Sequence, residues 1–245
     1  MTEMTQPIAV VTGGAGGIGA VTAGRLADRG CAVAIFDLDP TGQDVANHLV
    51  RQGKQARFYR CDLTDRAEVN KCGAAVVEEL GSVSVLVNNA GWTPHERFLD
   101  QSPDVWKKIV AINFDAVLNT CHTFARDLSE PRAIVNVASD AARVGVPDEA
   151  VYAGAKAAVI AFSKSLAVEL GRTGVRVNVV SPGSTRTALL EGMYSEEQLA
   201  AKARATPLKK LAAPKDIAGA VCYLAFDATH VTGQVLSING GMTRV

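Results

Sequence analysis

Tyr152 opens the stretch "YAGAKAAVIAFSKS", and Lys156 follows four residues later. In a helix that spacing puts a phenol and an ammonium on one face, one turn apart. A free phenol has a pKa of about 10, so it is a poor base at neutral pH. Lowering it by two to three units takes roughly 3–4 kcal/mol. One ammonium at about 4 Å supplies about 4 kcal/mol at an effective dielectric of 20. Such a pair can exchange a proton with a reacting oxygen. On a solvated helix face the same two residues would be commonplace, so the rest of the chain must decide.

A second chemical signal lies in "TGGAGGIG", Thr12 to Gly19. Gly13, Gly17 and Gly19 are spaced G-x-x-x-G-x-G, with Ile18 between the last two, unlike the commoner G-x-G-x-x-G fingerprint. Glycines let the backbone turn sharply and approach a ligand closely. A helix starting there would offer free N–H groups to a pyrophosphate. Alone, this is also how a plain glycine-rich turn reads. Asp37, in "AIFDLD", adds context. A carboxylate ending the second strand can accept both ribose hydroxyls of an adenosine and repels a 2′-phosphate, which selects NAD over NADP. No Lys or Arg lies in the glycine turn, and Leu38 follows Asp37. Asp39 suits the capping role that Asp37 might otherwise have, at the helix entry "DLDPTG".

The elements that must position these groups alternate along the chain. Apolar strand patterns occupy 8–12, 31–37, 55–62, 83–89, 132–139, 174–183 and 233–240. Helical patterns run to about residue 30, then over 41–52, 65–80, 103–128 with a break near Asn113, to about residue 171 from the Tyr–Lys stretch, and over 214–225. Residues 184–213 are polar and helical in pattern. Seven strands separated by helices predict an α/β fold: one doubly wound, Rossmann-like domain, 1–245, with a seven-stranded parallel sheet covered on both faces. Four polar clusters then fall at carboxyl ends of strands, where open α/β sheets bind ligands. They are "NNAG" (Asn88 to Gly91), Ser139, the Tyr152–Lys156 pair and "SPG" (Ser181 to Gly183).

Composition narrows the function classes. Nearly half of the 245 residues are apolar, a fifth are charged, and the formal net charge is zero. No nucleic-acid partner is implied. No uninterrupted apolar run reaches the roughly 18 residues of a membrane span. "MTEMTQPIAVV" has no basic region before its apolar stretch, so it does not read as a signal peptide, and a cytoplasmic location is the expectation. Five scattered cysteines lack C-x-x-C spacing, and four isolated histidines (His48, His95, His122, His230) read as structural or surface residues. No metal is expected.

The joint pattern resembles the short-chain dehydrogenase/reductase family. It rests on "TGGAGGIG", "CDL" at 61–63, "NNAG", Asn113 in "AINF", Ser139, "YAGAK", "SPG" and the terminal "TGQVLSINGG". The resemblance spans essentially the whole chain. It implies an NAD-linked alcohol–ketone oxidoreductase with a catalytic set of Asn113, Ser139, Tyr152 and Lys156. Tyr152 would take the alcohol proton, Ser139 would hold the substrate oxygen, and Asn113 would hold a water linking Lys156 to solvent. The implied cofactor contacts are Gly13, Gly17, Ile18, Gly19, Asp37, Leu38, Asp62, Leu63, Asn89, Ala90, Gly91, Tyr152, Lys156, Pro182, Gly183 and Thr187. A homo-oligomer, a tetramer or at least a dimer, is implied too. A non-catalytic dinucleotide-binding sensor would be expected to lack the Tyr or the Lys.

The substrate is bordered by three stretches: 91–98, 139–152 and the segment 184–210, which resembles the family's mobile substrate loop. Trp92, Ala141, Arg143, Leu189 and Met193 are the candidate substrate residues. Leu189, Leu190, Met193 and Tyr194 would cover an apolar ligand or form a satellite cluster under the loop. Arg143 would hold a carboxylate or an acyl oxygen, or pair with Asp140, Asp148 or Glu149 at the surface. "NNAGW" and "SDAARVG" resemble bacterial dehydrogenases of 2-hydroxycyclohexanecarboxyl-CoA. A 3-oxoacyl carrier-protein reductase, which usually favours NADPH, and a simple ketone or alcohol dehydrogenase are the rival readings.

Overall fold

A computed structural model describes residues 6–244. Met1–Thr5, and with them the start of "MTEMTQPIAVV", lie outside the described residues, as does Val245. The seven strands are β1 (Ile8–Thr12), β2 (Ala32–Asp37), β3 (Ala56–Arg60), β4 (Val85–Asn88), β5 (Ala133–Val137), β6 (Arg176–Pro182) and β7 (Val235–Ile238). All pair in parallel, in the order β3-β2-β1-β4-β5-β6-β7. The central strands are mainly apolar because helices cover both faces; β1, β4 and β5 are wholly buried. Edge strand β3 instead mixes buried and exposed positions.

Side chains alternate between two cores. Val11, Ile35, Val87 and Val135 pack with helices α1 (Gly17–Asp28), α2 (Gly42–Arg51) and α10 (Pro214–Cys222). Val10, Phe36, Leu86 and Ile134 pack with α3 (Arg66–Glu79), α5 (Ala116–Phe124) and α7 (Ala150–Leu170). The chain leaves β1 toward β2 and β3, then returns to β4 on the other side of β1. That reversal opens a crevice at the carboxyl ends of β1 and β4.

The strands are shorter than the apolar runs of the sequence by up to two residues at an end. Those released at carboxyl ends, such as Asn89, Ser139 and Gly183, belong to the loops that build the site. The expected break near Asn113 is a π-helical turn, Ala111–Asp115, between α4 (Pro103–Val110) and α5. A short helix that sequence periodicity did not suggest, α6 (Ala141–Val144), follows Ser139. The segment 184–210 folds into α8 (Ala188–Met193) and α9 (Glu196–Ala205), the latter started by a Ser195–Gln198 capping box. A bridge between Thr185 and Ala212 closes the base of this excursion.

The membrane reading needs one correction. The stretch Ala150–Thr173, built around α7, is long and apolar enough to cross a membrane, with a mean hydropathy of 1.3. Lys156 and Lys164 interrupt the run in the sequence, so an unbroken-run criterion passes over it. In the fold, Val159, Ser163 and Ala167 are buried on the inner face of this helix.

Candidate active site

A buried polar chain sets the register of α7 on the sheet. Thr120 Oγ1 donates to Asn88 Oδ1 at 2.6 Å, Asn88 Nδ2 to Asn136 Oδ1 at 2.8 Å, and Asn136 Nδ2 to Ser163 Oγ at 2.8 Å. Four elements, α5, β4, β5 and α7, are thereby tied together. Apolar packing alone tolerates sliding, whereas Asn136 and Ser163 lose each other if α7 shifts by one turn.

With α7 placed, Tyr152 and Lys156 face the end of β5. Lys156 Nζ donates to the Val137 carbonyl at 3.0 Å and is almost fully buried. Ser139 lies beside Tyr152 on the cavity wall, and its side chain acts to lower the tyrosine's pKa. The Lys156 Nζ lies 5.9 Å from the centre of the Tyr152 ring. Burial lowers the Lys156 pKa to about 8. Burial, together with the negative charge of Glu149, raises Tyr152 to about 12, against the effect of Ser139. Lys156 therefore loses its proton before Tyr152 begins to ionise, and the phenolate–ammonium pair is disfavoured in this site alone.

Asn113 is fully buried at the π-turn. Its Nδ2 donates to the Trp92 carbonyl at 2.7 Å and to the Ile109 carbonyl at 2.8 Å, and its Oδ1 accepts from Trp92 N at 3.2 Å. One Nδ2 hydrogen thus clamps the loop after β4, and the other is committed to the Ile109 carbonyl of α4. A Cβ on Gly91 would sit 2.9 Å from Asn113 Oδ1 and 3.3 Å from Lys156 Nζ. Glycine at 91 lets these two groups converge.

The glycine turn is built for close approach. Gly13 has φ +64°, and a Cβ there would lie 2.8 Å from Ala90 Cα. A Cβ on Gly19 would come within 2.0 Å of the Gly13 carbonyl oxygen, so α1 could not pack against the turn. Asn89 Nδ2 donates to the Thr12 and Gly13 carbonyls, each at 3.1 Å, and Thr12 Oγ1 accepts from Asn89 N and Ala90 N. Thr187 faces the turn, its methyl 3.6 Å from where a Gly17 Cβ would be. Asp37 Oδ2 accepts from Ala15 N at 2.9 Å, and Oδ1 from Asp39 N at 3.0 Å. Among the described residues no Lys or Arg lies within ion-pair distance of Asp37. These residues fit a nicotinamide dinucleotide: the N-terminus of α1 faces a backbone cradle, and a carboxylate stands at the tip of β2.

A cavity of about 290 Å³ joins the two parts. Ile18, Asn89, Gly91, Pro182, Gly183 and Thr187 line one end, and Ser139, Tyr152 and Lys156 another. Trp92, Ala141, Leu189 and Met193 line it as well. Leu38, Asp62 and Leu63 stay outside, at the β2–β3 side: Leu38 is exposed, and Asp62 Oδ1 accepts from Thr64.

Arg143 is the correction among the substrate residues. It is absent from the cavity wall, and its Nη1 donates to Ser237 Oγ of β7 at 2.6 Å. That serine belongs to a network around buried Asp140, which also accepts from Ser181 Oγ at 3.0 Å and from Asn239 and Thr243. The short helix α6 turns Arg143 toward the sheet edge, which loop spacing alone could not reveal.

The sequence reading passed over a third group. Tyr194 OH and His95 Nε2 are 2.7 Å apart, and His95 Nδ1 is 3.4 Å from Glu149 Oε1. Burial raises the Glu149 pKa, opposed by His95 and by Lys202. Glu149, Tyr194 and Lys202 all line the cavity. The available signal was Glu149 three residues before Tyr152, on the same helix face.

Comparison with known proteins agrees with this geometry. Residues 13–243 match a family described as enoyl-(acyl carrier protein) reductase. A cis-4-hydroxycyclohexanecarboxylate dehydrogenase of Sinomonas cyclohexanicum is 38% identical over 98% of both chains. A 2,3-dihydro-2,3-dihydroxybenzoate dehydrogenase of Bacillus subtilis (strain 168) is 34% identical over 96% of this chain and 95% of its own. The crystal structure of a variant actinorhodin polyketide ketoreductase with NADPH superposes with a TM-score of 0.93, at 30% identity over the full length of both chains. The seven-stranded parallel sheet, the glycine turn at the switch point and these relatives together make the chain an oxidoreductase of the short-chain dehydrogenase/reductase family.

Proposed function

We propose that the protein is an NAD-preferring dehydrogenase that interconverts a secondary alcohol and a ketone on a compact, ring-sized substrate. The observation that carries this reading is the single cavity shared by the Ser139–Tyr152–Lys156 group and the glycine-turn end. NAD⁺ held there supplies the hydride acceptor. Ser139 holds the carbinol oxygen and Tyr152 receives its proton, a reading supported by both lining the same cavity. Lys156 stabilises the developing phenolate and is kept in place by the Val137 carbonyl. Asn113 positions Trp92 and the loop beside Lys156. A ligand pocket ordinarily measures about 300–1,000 Å³. This one is at the lower limit and also serves the nicotinamide end, which favours a ring over a long acyl chain.

Asp37 supports NAD over NADP, as its carboxylate suits ribose hydroxyls and repels a 2′-phosphate, and among the described residues no Lys or Arg forms an ion pair with it. The rival reading, NADPH-linked reduction of an acyl-carrier thioester, draws on the family description and the ketoreductase neighbour. We further infer a cytoplasmic homo-oligomer, a tetramer by family resemblance.

Steady-state oxidation of cyclic secondary alcohols with each cofactor tests the reading. kcat/KM should be higher with NAD⁺, and Asp37→Ser should erode the preference. Tyr152→Phe should lower kcat by about a hundredfold or more and leave NADH affinity unchanged. Equal kcat/KM for the two cofactors would overturn the NAD assignment, and near-normal turnover by Tyr152→Phe would overturn the mechanism.

A further inference from the structure

The lid end of the cavity carries a cation in an unusual setting. Lys202 lies in the last turn of α9, half-buried, and lines the cavity. Its Nζ sits 4.1 Å from the centre of the Tyr194 ring. Tyr194 is itself fixed: its hydroxyl meets His95 Nε2, and the two rings pack edge-on at 5.3 Å. Among the described residues, Lys202 has no hydrogen bond and no carboxylate within ion-pair distance. Glu149, the acid that feels its field, instead has His95 as its ion-pair neighbour. The intervening wall is largely apolar: Trp92, Val144, Val146, Leu189, Leu190 and Met193. A half-buried ammonium braced on an aromatic face, with no anion of its own, offers an incoming anion charge-assisted hydrogen bonds in a poorly solvated place.

We propose that Lys202 is the anchor for a free carboxylate on the substrate, so that the preferred substrates are compact cyclic hydroxy acids. The carboxylate meets Lys202 while the carbinol carbon meets Ser139 and Tyr152. This rests on the dehydrogenase reading above and narrows its substrate class. It commits to the free acid: a thioester at the same place would present no charge to Lys202. It also moves the carboxylate-binding role from Arg143, which faces Ser237, to a residue of the lid. The names of the two carboxylate dehydrogenases among the relatives agree with that chemistry. Because α9 carries the anchor, the lid would be held down by the substrate's own charge.

The test compares three probes: 4-hydroxycyclohexanecarboxylate, its methyl ester and cyclohexanol, each with NAD⁺. Lys202→Met keeps the length of the side chain over Tyr194 and removes the charge. It should raise KM for the acid by about tenfold to a hundredfold, with kcat and both neutral probes little changed. Lys202→Arg should retain most of the preference for the acid. Lys108→Met is the control, since Lys108 also stacks on an aromatic ring, that of Trp92 at 4.2 Å, but is exposed and outside the cavity wall. It should change none of the three. Equal losses on acid and ester would overturn the anchor in favour of a packing role, as would a wild-type preference for the ester. Calorimetry of unreactive cyclohexanecarboxylate with the NADH-bound protein separates the anchor from the reaction. Binding lost in Lys202→Met supports the anchor even if no probe turns over. Equal binding by both proteins, or none by the wild type, defeats it.

Discussion

Replacing Lys156 with Met probes how the site ionises its tyrosine. The ammonium lies 5.9 Å from the Tyr152 ring centre. At an effective dielectric of 20 that separation is worth about 3 kcal/mol of phenolate stabilisation. The loss corresponds to about two pKa units, or about a hundredfold in rate where proton removal limits turnover. Lys156→Met should therefore lower kcat for alcohol oxidation about a hundredfold near neutral pH and move the rising limb of the pH profile, set by loss of the Tyr152 proton, to higher pH. Stability should respond differently. The Lys156 pKa is about 8 in the fold, below its value of about 10.4 in an unfolded chain. Between those values the unfolded state binds more protons, so wild-type stability should gain on the variant as pH rises through that window. Below about pH 8 the buried charge costs stability, which the variant avoids, although its Val137 carbonyl loses a donor. The assays are kcat against pH and thermal denaturation of both proteins at pH 7 and pH 10. A variant with near-normal kcat and an unmoved rising limb would refute the electrostatic role.

Two further outcomes follow from the same geometry. Glu149→Gln removes a negative charge that raises the Tyr152 pKa, so the rising limb of its pH profile should move down in pH, opposite to Lys156→Met. A shift in the same direction as Lys156→Met would contradict the charge argument. The outer side of α7 leaves Gly154, Ala161 and Val168 exposed, Val168 at 80%, and a second copy of the chain can cover them. Sedimentation at micromolar concentration should therefore give a dimer or tetramer, and a strictly monomeric species would exclude that assembly.

Strand and helix order were legible because a parallel sheet covered on both faces needs mainly apolar strands, and "IAVVT", "AVAIFD" and "AIVNV" have no other economical reading. The glycine turn was equally legible, since the close approach of Gly13 and Gly19 leaves no room for a side chain. The break at Asn113 was anticipated; its π-turn geometry was not, because it depends on the Ile109 and Trp92 carbonyls that Asn113 captures. The small residues of α7 were ambiguous in sequence, and the fold separates them: Ala155 is buried, Ala157 and Ala158 are half-buried, and Ala161 is exposed.

The sequence alone determined which residues share a helix face or a strand end, for those relations are local and follow from periods of 3.6 and 2. That was enough to bring Tyr152 and Lys156 together and to place Asp37 at a strand tip. What only the tertiary structure decided is which charges meet across long separations. His95 joins Tyr194 and Glu149, Lys202 reaches the cavity, and Arg143 turns to Ser237. These contacts depend on how α6, α8 and α9 lie over the sheet edge, which no periodicity encodes. The ionisation of the site has the same origin. Burial raises Tyr152 and lowers Lys156, because desolvation is a property of the packed surroundings and not of the four-residue spacing that first drew the two together.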